Sequence, residues 1–163
     1  MDKKNDHNNS SEKMPPNKVK QSIYAAQKTQ LKKTMHSGFY YEAVFIEYAI
    51  IEDRTESVLR HAGGIKLTDS RDQPLKLKDK LNKIRDNARF HSKKIRMLLS
   101  LELIDDINSW RDKRNKLVHY LMNTPNDTEQ LKELAEQGQE LVRILDSKVK
   151  SANKIFDKEN YHS

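Results

Sequence analysis

The chain has 163 residues, with 31 Lys and Arg against 24 Asp and Glu and a formal charge of +7. That is room for one domain with a proper core and too little for two. Hydrophobic residues make up 35% and charged residues 34%, which suits thin helices with wide solvated faces better than a thick sheet core. Cysteine is absent, excluding disulfides, thiolate metal sites and a cysteine nucleophile, and agreeing with a reducing cytoplasmic setting.

Residues 1–16 are mostly polar and end in Pro15-Pro16. With nothing to bury, they are expected to form a disordered N-terminal arm. They lack the apolar run of a signal peptide, and the longest nearly apolar stretch, Ala43 to Ile51, is short and broken by Glu47. A soluble cytoplasmic protein without a membrane partner is the expectation. From Asn17 onward helix formers dominate, punctuated at Gly38, Gly63-Gly64, Pro74 and Pro125. Residues 17–163 therefore read as a single all-α domain, an up-down bundle of about five helices.

The first segment, 17–36, is rather polar. The second, 39–62, places Tyr41, Val44, Tyr48, Ile51, Val58 and Ala62 at steps of three and four, predicting a core-facing side. The third, 75–99, aligns Leu77, Leu81, Ile84, Ala88, Ile95 and Leu98, with a break near His91-Ser92. The fourth covers 100–123. The fifth, 128–157, keeps Leu131, Ala135, Gly138, Val142, Leu145, Val149, Ala152 and Phe156 in four-three alternation, the seam of a long packed helix.

The fourth segment contains the run Trp110-Arg111-Asp112-Lys113-Arg114-Asn115-Lys116-Leu117-Val118-His119-Tyr120. At roughly 100° per residue, Leu103, Ile107, Trp110, Leu117 and Leu121 share a sector, and Arg114 projects into its middle. A guanidinium there needs a carboxylate, a phosphate or a wet subunit interface. Asn115 and His119 share a neighbouring face, with His119 about 140° round from Arg114. In the second segment Glu52 reads as lying on the apolar sector, with Glu47, Arg54 and His61 along the opposite edge. A buried structural pair between Glu52 and Arg114 is the plain alternative to any chemistry.

Arg114-Asn115-Lys116-Leu117-Val118-His119 resembles the Arg-polar-x-x-x-His signature of the HEPN superfamily, small all-α ribonuclease domains of toxin–antitoxin and phage-defence systems. The resemblance implies an HEPN-like bundle, a metal-independent endoribonuclease with no cofactor, and Arg114, Asn115 and His119 as its catalytic residues. Glu47, Glu52, Arg54 and Tyr120 would be supporting residues. RNA carries its own nucleophile, the 2′-hydroxyl, so cleavage needs a base, positioning and charge stabilisation. His119 would activate or orient that hydroxyl, since imidazole titrates near neutrality. Arg114 would clamp the scissile phosphate with its planar fork, and Asn115 would bond the phosphate or hold the ring. The expected products are a 2′,3′-cyclic phosphate and a 5′-hydroxyl. Family members pair their motifs across a dimer interface, implying a homodimer with a composite site, and an antitoxin or regulatory protein as a further partner. Toxins controlled by nucleotidyltransferase antitoxins carry tyrosine two positions after the histidine. Here Tyr120 follows His119 directly and Leu121 comes next, so that form of control is not implied.

Lys78, Asn82, Arg85, Arg89, Lys93 and Arg96 recur at steps of three and four, broadened by Lys76, Lys80, Lys83 and Lys94. Such a stripe either follows an RNA backbone or is a solvated face. Phe90 and His91 are candidates for stacking on bases or for boundary packing. The six histidines lack metal-ligand spacing, so no zinc is expected. Asp105-Asp106 point to different sides of a helix, and Gly63-Gly64 lacks a phosphate-loop context. Two other classes fit the same residues: a non-catalytic helical RNA-binding or regulatory module, and a dimerisation protein that pairs with an antitoxin or effector.

Overall fold

The computed structural model describes residues 17–61, 65–90, 93–120 and 128–160. The expected arm, 1–16, lies outside them. The described chain is all-helical: α1 (Asn17–His36), α2 (Tyr40–His61), α3 (Leu77–Phe90), α4 (Lys93–Leu98), α5 (Leu101–Tyr120) and α6 (Thr128–Asn160). The expected third helix, 75–99, is represented by α3 and α4, and the break expected near His91-Ser92 lies outside the described residues. Among the described residues the only β pairing is an isolated bridge between Thr68 and Pro74, in the loop leading to α3.

Local chemistry accounts for the helix ends. Gly38 adopts φ 73°, a conformation that costs residues with a Cβ about 1 kcal/mol or more. There the Phe39 N–H reaches the Thr34 carbonyl at 2.9 Å and the Gly38 N–H reaches that of Met35 at 3.3 Å. This paired closure satisfies carbonyls that α1 would otherwise leave open and turns the chain into α2. At the start of α5, Ser100 Oγ accepts the Leu103 N–H at 3.2 Å and serves as N-cap.

One apolar core runs through the bundle, taking Leu31 from α1, Ile51 and Leu59 from α2, Leu77, Leu81 and Ile84 from α3, Ile104, Ile107 and Trp110 from α5, and Leu145 and Val149 from α6. α2 is the central element, packed against α1, α3 and α6, while α5 rests on α3 and α6. The four-three seam of α6 is present as expected over Leu131, Ala135, Gly138, Val142, Leu145, Val149 and Ala152, all buried, while the side chain of Phe156 lies outside the described residues. α1 is held to α6 by polar contacts. The Tyr24 hydroxyl donates to Asp146 Oδ1 and Lys28 Nζ to Oδ2, both at 3.0 Å. Burial pushes the Asp146 carboxyl up, but hydrogen bonds from Lys28, Lys150 and Tyr24 outweigh it and hold its pKa below the usual value. Among the described residues no helix is long and apolar enough to cross a membrane.

Candidate functional site

The rotation of α5 is set by Trp110, whose Nε1 donates to the Leu134 carbonyl of α6 at 2.9 Å inside the core. One turn later Arg114 emerges half-buried at the α2 edge. Its guanidinium carbon lies 4.7 Å from the Tyr48 ring centre and 5.0 Å from that of Phe45. Its Nη1 donates to Asn115 Oδ1 at 3.2 Å. Its Nε is buried and has no partner. Among the described residues no carboxylate pairs with Arg114. Ring contacts contribute about 0.5–2 kcal/mol to holding a guanidinium, less than a buried, hydrogen-bonded counter-ion would offset. His119 sits exposed in the last turn of α5. Within the described chain no hydrogen bond or ion pair joins it to Arg114. Tyr120 and Phe45 are both more than half exposed, at 57% and 53%.

The expected supporting residues separate. Glu52 does not pair with Arg114. It accepts from Lys80 Nζ at 3.2 Å, alongside Glu56 at 2.8 Å, because α3 brings that lysine onto α2. Glu47, placed by its spacing on the polar edge, instead lies wholly inside the core at 0% exposure, with neither carboxylate oxygen hydrogen-bonded. It faces α6 where Gly138 has no side chain: a Cβ there would overlap the Glu47 carboxyl and come within 2.9 Å of the Trp110 ring. Burial raises its pKa to about 9, so it is a neutral acid at pH 7, out of a substrate's reach. Arg54 belongs to the α1 side, bonded to Asp53 and lying 4.1 Å over the Tyr24 ring. It is not part of the Arg114 surface.

The basic stripe is broken in the same way. Lys78, Lys93 and Arg96 are exposed, whereas Arg85 forms an ion pair with Asp105 of α5. Lys80, expected to broaden the stripe, is turned inward and answered by Glu52 and Glu56. The side chains of Arg89, Phe90, His91 and Lys94 lie outside the described residues.

Neither type nor spacing marks Arg111 in the sequence. It is only 7% exposed; Nε and Nη2 donate to Asp112 Oδ1 at 3.2 and 2.6 Å, while Nη1 is buried without a partner. The signal that could have found it is its place seven residues after Ile104 and four after Ile107, both core residues. Tyr48 feels both Arg111 and Arg114. Burial and then Glu52 push its pKa up, while Arg114, Arg111 and Lys80 pull it down, and the net effect is upward.

A groove of about 460 Å³ at the start of α2, lined by Gly38, Phe39, Tyr41 and Leu131 among others, contains none of these candidates. Among the described residues no three His, Asp or Glu side chains are grouped to hold a metal ion. No protein-family model matches the chain, and no curated protein or solved structure matches it.

Proposed function

We propose that this protein is a metal-independent endoribonuclease of the HEPN type, acting as a cytoplasmic toxin or defence effector and cutting RNA by attack of its own 2′-hydroxyl. Arg114, Asn115 and His119 carry the reaction in a composite site of a homodimer, restrained by an antitoxin or regulatory partner. One observation supports this above the rest: Arg114 is half out of water, braced by Phe45 and Tyr48, and has no carboxylate among the described residues. A guanidinium in that state is prepared for an anion from outside the chain. His119 lies exposed on the same helix, where a partner chain's guanidinium can meet it.

Incubation of labelled RNA in excess chelator tests the proposal. Wild type is expected to yield 2′,3′-cyclic phosphate and 5′-hydroxyl ends, and a matched DNA strand to survive because it lacks the nucleophile. His119→Ala is expected to lose about 100-fold or more in rate. Cleavage by His119→Ala at the wild-type rate would remove the enzymatic reading.

The lack of any bond between Arg114 and His119 within one chain favours a second reading, a helical RNA-binding or dimerisation module. In it Arg114 only stacks on α2. Arg114→Ala would then loosen a dimer, and His119→Ala would alter nothing.

A further inference from the structure

We propose that Arg111 is a second phosphate-binding residue of the Arg114 site, and that Asp112 is a placeholder anion which Arg111 releases when a phosphodiester arrives. The inference rests on reading Arg114 as a phosphate ligand and extends the site to the neighbouring phosphate of the same strand.

Arg111 and Arg114 are three residues apart, neighbours on the helix surface separated by roughly 4.5 Å of rise. Each has a buried guanidinium nitrogen without a partner, and orphaned charged donors of this kind are costly enough to call for an explanation. The two nitrogens of Arg111 that are answered both go to one oxygen of the adjacent Asp112. That carboxylate is 59% exposed, so water replaces the guanidinium around it at little cost. Once released, the Arg111 side chain swings outward and its Nη1 gains an acceptor that the resting chain does not offer.

The neighbouring cations keep the Asp112 carboxylate charged once it is released. The hydrogen bond from Arg111 holds the Asp112 carboxyl below its ordinary pKa, with Lys78 and Lys116 adding to the effect. Lys78 belongs to α3 and is exposed, near enough to act on Asp112. A strand held by Arg114 and Arg111 has Lys78 as a further cation beside the released Asp112.

The test uses a single-stranded DNA oligonucleotide, which offers phosphodiesters but has no 2′-hydroxyl to react. Asp112→Asn is expected to tighten binding about threefold. Arg111→Gln is expected to weaken it and reduce the salt slope by about 0.7. In the Arg111→Gln background the gain from Asp112→Asn should vanish, because the two act as a pair. An undiminished gain in that background, no gain in Asp112→Asn alone, or an unchanged slope would overturn the exchange. If Arg111→Gln fails to fold, wild type titrated with inorganic phosphate decides. The Nε–H resonances of Arg111 and Arg114 should shift together, and a stationary Arg111 resonance would refute the assignment. None of these readouts measures cleavage, so their failure is distinguishable from failure of the His119→Ala test.

Discussion

A carboxyl group sealed in an apolar core lowers its energy either by finding a donor or by taking up a proton, and Glu47 is left with the second. Its pKa in the folded chain, about 9, lies far above the ordinary value of 4.5. The folded state therefore binds a proton that the unfolded state has lost, throughout the interval between those values. Stability falls as pH rises across that window, by roughly 1 kcal/mol per pH unit, and levels off above it. Glu47→Gln keeps the shape without titrating, so its stability should vary less between pH 5 and pH 9. Urea midpoints across that range check this, and parallel curves for the two proteins would contradict it. Glu47→Met replaces two unsatisfied oxygens with an apolar chain of similar size and is expected to stabilise the protein at pH 7 by about 1–3 kcal/mol.

At the scale of elements, Glu47 is matched to a glycine on another helix. Gly138 stands in the middle of α6, where Ala would normally be favoured by about 1 kcal/mol. Here a Cβ meets the Glu47 carboxyl and Trp110, so Gly138→Ala should destabilise by about 1–3 kcal/mol through overpacking. Combining it with Glu47→Ala should recover part of that loss in a denaturation cycle. Lys80 makes a second test of how elements meet. Lys80→Ala is expected to cost about 1 kcal/mol, discounted because Glu52 and Glu56 are partly solvated. It should leave the salt slope of oligonucleotide binding unchanged, whereas Lys78→Ala should reduce it. These contacts mark the boundary of what the sequence reveals. The turn at Gly38 and the seam of α6 are legible because each is written locally, in a left-handed residue and in a long repeat. The rotation of α2 is not. Tyr41 and Tyr48 count as apolar by type but settle at the half-buried rim, while Glu47 counts as polar and enters the core. Only α6, far along the chain, supplies the missing side chain that makes room for it. The candidate site divides in the same way: Arg114, Asn115 and His119 are visible together as one helical run, but Phe45 and Tyr48 of α2 reach Arg114 only because α3 and α6 hold α2 and α5 near each other.

For the whole molecule, the separation of Arg114 from His119 becomes a statement about assembly. Five residues along one helix put the two side chains about 140° apart, and no bond joins them within the described chain. If they act on one phosphate, the arginine of one subunit works with the histidine of the other. Arg114→Ala and His119→Ala homodimers should then both be inactive for opposite reasons, each retaining what the other lacks. When the two variants are mixed under conditions that let subunits exchange, the hybrid dimers carry one intact arginine and one intact histidine in different chains. Cleavage of RNA in chelator should reappear in the mixture and grow as exchange proceeds. Persistent silence, with hybrid dimers verified by native mass spectrometry, would exclude catalysis across the interface. Since the single chain does not join the two groups, it would leave the binding or dimerisation module as the reading that fits the fold.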